Sequence, residues 1–210
     1  MSVEERLSKQ MKSKLGARAV YLPGTAFDLG DVLRPKGDGF QQMTKLARLG
    51  VGFDPEPFQD MSLDFVSSGT KERIFQAGAE LPSSAALDLA ADASVRYEFG
   101  GEFEYVLKTP VLQGAHIENL AEVLEAVQRL PKFNFKEWRI VTEVYVASEF
   151  AFVASEKKKS SFEISGKASG IVGFLTAGAS LGLKSTRSGS VSILGKGGPV
   201  AMSLTKVPKP

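Results

Sequence analysis

The feature that most constrains this chain is an alternation of apolar and polar residues that keeps one phase over residues 94–109. Val95, Tyr97, Phe99, Phe103, Tyr105 and Leu107 fall on one face, and Ser94, Arg96, Glu98, Glu102, Glu104 and Lys108 on the other. A period of two is the mark of a β-strand with one buried and one solvated face, so the segment predicts a single long strand, bent at Gly100-Gly101. Residues 138–154 repeat the pattern, with Ile140, Val144, Val146, Phe150 and Phe152 opposed to Arg139, Glu143 and Glu149. Ordinary strands run about five or six residues, so two of this length commit the chain to a β-rich fold.

The other elements follow from the change of period. Val3, Leu7, Met11 and Leu15 recur at helical spacing, with Arg6, Lys9, Lys12 and Lys14 on the remaining surface and Gly16 as the stop. Ile117, Leu120, Leu124 and Val127 form a second stripe, flanked by Glu118, Glu122 and Glu125 and closed by Pro131, which predicts a central helix of about four turns. Phe40, Met43, Leu46 and Leu49 predict a third, short helix. Shorter strands are expected at 19–22, 27–34, 61–65, 162–167, 171–175, 179–184, 191–194 and 200–207. The expected fold is a single α+β domain over residues 1–210: a twisted, mainly antiparallel sheet with long strands, packed by an N-terminal helix and a central helix.

Composition removes whole classes of chemistry. With no cysteine and one histidine, His116, the chain has no thiolate nucleophile and cannot build a sulfur or His-rich metal site. A net charge of +2 gives no global basis for nucleic-acid binding. Glu98, Glu102 and Glu104 have the spacing of paired acids, but a solvated sheet face asks for the same residues. The run GSVSILGKG at 189–197 departs from a phosphate-binding loop by one residue of spacing and lacks its hydroxyl. No cofactor, no metal and no catalytic residues are expected; the protein is expected not to be an enzyme. Residues 1–14 lack the apolar core of a signal peptide, which points to a cytoplasmic start.

Three features suggest a role at membranes. The first helix together with Arg18 carries five positive charges against Glu4 and Glu5, a pattern suited to an anionic lipid surface. Lys157, Lys158 and Lys159 form a second basic cluster. The long alternating strands have the length and polarity of strands that can enter a bilayer as a closed barrel.

The order of these elements resembles the pore-forming N-terminal domain of the gasdermins. The resemblance begins at the basic first helix and passes through AFDLGDVLRPKGD at 26–38, which is similar to the family's LLDLLEPG-type segment. It continues through the strand, helix and long strand of residues 94–154, then EISGKASGIVGF, SLGLKSTRSGSVSI and PVAMSLTKV at 163–174, 180–193 and 199–207. It implies a protein that is cytoplasmic when inactive and membrane-bound when active, binds acidic membrane lipids and acts as a homo-oligomer in cell death or defence. It also implies that about 61–109 and 150–192 refold into membrane hairpins, with Arg6, Lys9, Lys12, Lys14, Arg18, Lys157, Lys158 and Lys159 as lipid contacts. Lys167 and Lys184 would then have to face an aqueous lumen, since a lysine in mid-bilayer costs about 2–4 kcal/mol.

Gasdermins carry an inhibitory C-terminal domain or tail, whereas this sequence ends three residues after its last predicted strand. A separate inhibitor or an activating protease is therefore among the expected partners. The alternative expectation is a soluble binding or scaffold protein with the same β-rich fold.

Overall fold

The computed structural model describes residues 2–20, 26–37, 39–76, 78–81, 93–165, 182–185, 190–195 and 197–210. Among these the chain opens with α1 (Val3–Leu15), β1 (Arg18–Ala19), β2 (Asp31–Lys36), β3 (Gly39–Lys45) and a 3-10 turn at Leu46–Leu49. There follow β4 (Pro55–Pro57), β5 (Met61–Val66), β6 (Thr70–Gln76), β7 (Ala79–Leu81), β8 (Ala93–Phe99) and β9 (Glu104–Ile117). After α2 (Leu120–Gln128) come β10 (Arg139–Ala147), β11 (Phe150–Ser155), β12 (Ser160–Ser165), β13 (Gly182–Ser185), β14 (Ser190–Gly195) and β15 (Gly198–Lys206). The α+β class, the mainly antiparallel sheet and the two expected helices are all present.

The chain divides into two compact units. The first comprises Met1–Leu7, Met61–Leu112 and Ala147–Gly197. In it β5, β9, β11 and β14 pair side by side, and a second sheet runs β13-β12-β8-β6-β7. Ile74, Val95, Tyr97, Phe99 and Phe162 from the second sheet meet Val106 and Val153 from the first in one buried cluster, the arrangement of a β-sandwich.

The second unit comprises Ser8–Asp60, Gln113–Val146 and Gly198–Pro210. Here β1 pairs with β15, β2 with β3 and with β10, and β4 with the end of β9. Val32, Leu46, Ile117, Ile140 and Val207 pack with Val123 and Val127 of α2, which places that helix against the sheet.

The sequence dictates α1 with particular economy. Ser2 and Glu5 form a capping box: the Ser2 hydroxyl accepts the Glu5 N–H at 3.2 Å, and Glu5 accepts the Ser2 N–H at 2.8 Å. Gly16 adopts φ +72°, and its N–H closes on the Lys12 carbonyl at 3.1 Å. Val3, Leu7 and Met11 are 2%, 0% and 0% exposed, as an apolar helical stripe requires.

Four expectations are corrected. Residues 40–45 are not helical but pair with β2 as an antiparallel hairpin, leaving only the 3-10 turn at Leu46–Leu49. Four apolar residues at helical spacing are too few to outweigh ladder pairing after a turn. The 94–109 strand is two strands in different sheets, β8 and β9, separated by a corner at 100–103. The 138–154 strand is interrupted at Ser148-Glu149, where the Ser148 N–H donates to the Val111 carbonyl. Finally, Glu104 and Lys108, assigned to a solvated face, are 4% and 6% exposed because β9 is covered on both faces.

The central helix is also shorter than expected, since Ile117 is the last residue of β9 and α2 spans nine residues. The strand expected at 171–175, and Lys167, lie outside the described residues.

Candidate membrane-docking surface

The polar side of α1 follows from its burial. With Val3, Leu7 and Met11 turned inward, the 3.6-residue period leaves Lys9, Lys12 and Lys14 exposed. Lys12 and Lys14 lie in the last turn, where a cation also complements the helix dipole. Neither Lys9 nor Lys12 has a carboxylate partner among the described residues. The hydroxyl of Tyr145 donates to the Leu15 carbonyl at 3.2 Å and tethers the end of the helix. Burial raises the pKa of that phenol, which keeps it a donor at neutral pH.

The short strand β1 then brings Arg18 beside the helix, because Arg18 is in register with Met202 of β15. Ser8, Lys9, Lys12, Gly16, Ala17 and Arg18 face Met202, Ser203 and Leu204 across a groove of about 540 Å³. The Arg18 guanidinium lies 4.9 Å from the centroid of the Phe40 ring, a cation–π distance. Ser8 contributes a buried hydroxyl that finds no hydrogen-bond partner among the described residues. Three cations beside the partly buried Leu204 make a groove suited to an anionic group attached to an apolar body.

The structure therefore gathers Lys9, Lys12 and Arg18 at one groove and leaves Lys14 exposed on the same helix. Arg6 is placed otherwise: its Nη1 lies 3.1 Å from Glu104 Oε1 within the first unit. Lys157, Lys158 and Lys159 are exposed in the turn between β11 and β12. That turn is held by the hydroxyls of Ser155 and Ser160, each of which donates to the Lys157 carbonyl at 3.1 Å. Lys158 approaches Glu102 at 3.8 Å, and Lys159 adopts φ +53°.

Sequence reasoning missed Ser8, Met202 and Leu204 as parts of the groove, since strand register rather than spacing brings β15 to α1. It also missed the surroundings of His116. The His116 ring stacks on Phe58 at 5.0 Å and its Nε2 lies 3.0 Å from Glu56. No group of three or more His, Cys, Asp or Glu side chains is arranged to hold a metal ion among the described residues. No described helix is long and apolar enough to cross a membrane.

No protein-family model matches the chain, and no curated protein matches it.

Proposed function

We propose that the protein is a gasdermin-like membrane-permeabilising protein that docks on acidic lipid through the basic groove and helix face, then assembles into a β-barrel pore. The observation that carries this reading is the polarity of α1: its apolar stripe is buried, while Lys9, Lys12 and Lys14 are exposed and two of them join Arg18 around one groove. Each lysine or arginine near an anionic bilayer contributes about 1 kcal/mol, so three or four on one surface supply millimolar-class attraction without any insertion, and assembly of several copies on one bilayer multiplies it.

The division of the chain supports the same reading. The regions that the gasdermin resemblance marks for refolding, 61–109 and 150–192, both fall within the first compact unit. The groove cations Lys9, Lys12 and Arg18 belong to the second. Docking and refolding are thereby assigned to different parts of the chain. The reaction is non-covalent, requires no cofactor, and proceeds by oligomerisation of identical copies on the bilayer.

Dye release from liposomes tests the proposal directly. The purified chain should release large dyes only from vesicles containing anionic lipid, and less as salt is raised, because screening weakens the docking step. Absence of both leakage and co-sedimentation, from demonstrably folded protein, would instead assign the groove to a soluble binding or scaffold protein.

A further inference from the structure

Glu104 stands at the start of β9, immediately after the corner that separates it from β8, and is 4% exposed. Its carboxylate accepts from Arg6 Nη1 at 3.1 Å and from the Gly69 N–H at 3.3 Å. Gly69 and Gly101 approach so closely that a Cβ on either would fall 2.5 or 2.6 Å from Oε1. The carboxylate fills the space that side chains would need. The Tyr105 hydroxyl donates to the Arg6 carbonyl at 3.4 Å, and the Gly100 N–H to the Gly69 carbonyl at 2.9 Å. One acidic group thus ties the first turns of α1, the β5–β6 turn and the β8–β9 corner.

The corner reverses the faces of the strand. In β8 the odd-numbered Val95, Tyr97 and Phe99 enter the core between the two sheets, whereas in β9 the even-numbered Val106 does so. Successive side chains of a strand point to opposite faces, so Tyr105 and Leu107 are turned away from that core. Phe103 takes φ +57° within the corner, in the left-handed region that residues with a Cβ rarely adopt. Yet the sequence keeps one apolar phase from Val95 through Phe103 to Leu107, as if the corner were absent. The folded protein does not require that agreement, because β8 and β9 lie in different sheets. A straight strand over 94–109 does require it.

We propose that the Arg6–Glu104 pair is a latch that holds this corner bent, and that breaking it lets residues 94–109 straighten into one amphipathic strand. On opening, the carboxylate and guanidinium return to water, Phe103 relaxes to an extended conformation, and all the odd-numbered apolar residues share one face. Arg6 is then a positioning residue of the closed state rather than a lipid contact. The consequence for membranes rests on the pore-forming reading, whereas the latch is a property of the protein in solution.

The experiment compares Arg6→Gln and Glu104→Gln with the unsubstituted chain by hydrogen–deuterium exchange in solution and by dye release from anionic liposomes. Exchange at residues 6–11 and 101–105 should rise at least tenfold in both variants, and the lag before dye release should shorten at unchanged co-sedimentation. Gly101→Ala, which pushes the carboxylate out without removing its charge, should behave in the same way. The Arg6 side chain is 36% exposed, against 5% for Glu104, so its variant decides the matter if Glu104→Gln fails to fold. Unchanged exchange at both segments in folded Arg6→Gln and Gly101→Ala would overturn the latch. Raised exchange with an unaltered lag would overturn its coupling to straightening, and a wild-type chain that releases no dye would remove the pore reading while leaving the exchange result to judge the latch.

Discussion

Lys108 Nζ lies 2.7 Å from Glu72 Oε2 and 2.8 Å from Oε1, a charge pair that bridges the two sheets of the first unit. The lysine side chain is 7% exposed and the glutamate 19%, and the Tyr97 hydroxyl donates to the same carboxylate at 3.5 Å. Bridging through charge rather than through a hydrophobic pair has an energetic signature, because desolvation offsets much of the attraction while removal of one partner strands the other. Lys108→Met alone should therefore destabilise the protein by about 3–5 kcal/mol, whereas Lys108→Met with Glu72→Met should be near neutral or stabilising. Denaturant midpoints of the two variants check this, and equal losses in both would show that the pair acts through packing instead.

Tyr105 gives the protein an alkaline limit. Burial pushes its phenol up to about 12, the neighbouring Glu104 carboxylate adds to the rise and the Arg6 guanidinium opposes it. A folded pKa above the unfolded value near 10 means that the folded state holds this proton more tightly. The associated stability is complete below about pH 10 and is lost as pH rises through about 12. Tyr97, driven further upward mainly by burial and then by Glu72, acts in the same direction. The unfolding midpoint should be insensitive to these groups at neutral pH and fall across that alkaline window, with a shallower fall in Tyr105→Phe; tyrosinate absorbance followed in parallel identifies the titrating group.

The docking surface predicts a selective loss. Lys9→Glu with Lys12→Glu should abolish co-sedimentation with anionic vesicles, because two repulsive charges replace two attractive ones at the groove, each change acting at about 1 kcal/mol per charge or more. Stability should fall by no more than about 1–2 kcal/mol, since both lysines are exposed without a carboxylate partner among the described residues and only Lys12 adds a helix-dipole contribution. Sedimentation at wild-type levels would remove the groove from the mechanism.

A third stability test concerns the second unit. The Phe58 ring is stacked between His116, at 5.0 Å and 11°, and Tyr145, at 5.3 Å and 19°. Gly114 lies close to the stack, where a Cβ would come within 2.4 Å of the Phe58 ring. Phe58→Leu keeps an apolar group but removes both ring contacts and should cost about 1–3 kcal/mol. A urea titration measures the loss, and no change would mean that the stack contributes nothing beyond area burial.

How much of this was legible in advance depended on how far each feature is local. α1 was readable to the residue, because its apolar stripe and the Gly16 stop act within a few turns of chain, and the structure adds a Ser2–Glu5 capping box at its start. Lys9, Lys12 and Lys14 were placed on its exposed side for the same reason. Residues 40–45 resisted, since their pairing with β2 is a relation between segments and outweighs a weak helical spacing.

What the sequence by itself determined is the inventory: the α+β class, the two helices, the alternating strands and the polarity of the first helix. What only the tertiary structure decided is the fate of the polar face of residues 94–109. Alternation states which residues share a face, but not whether both faces will be covered. Once β9 is packed on both sides, Glu104 and Lys108 must be buried, and a buried charge must find its opposite, here Arg6 and Glu72, from distant stretches of the chain.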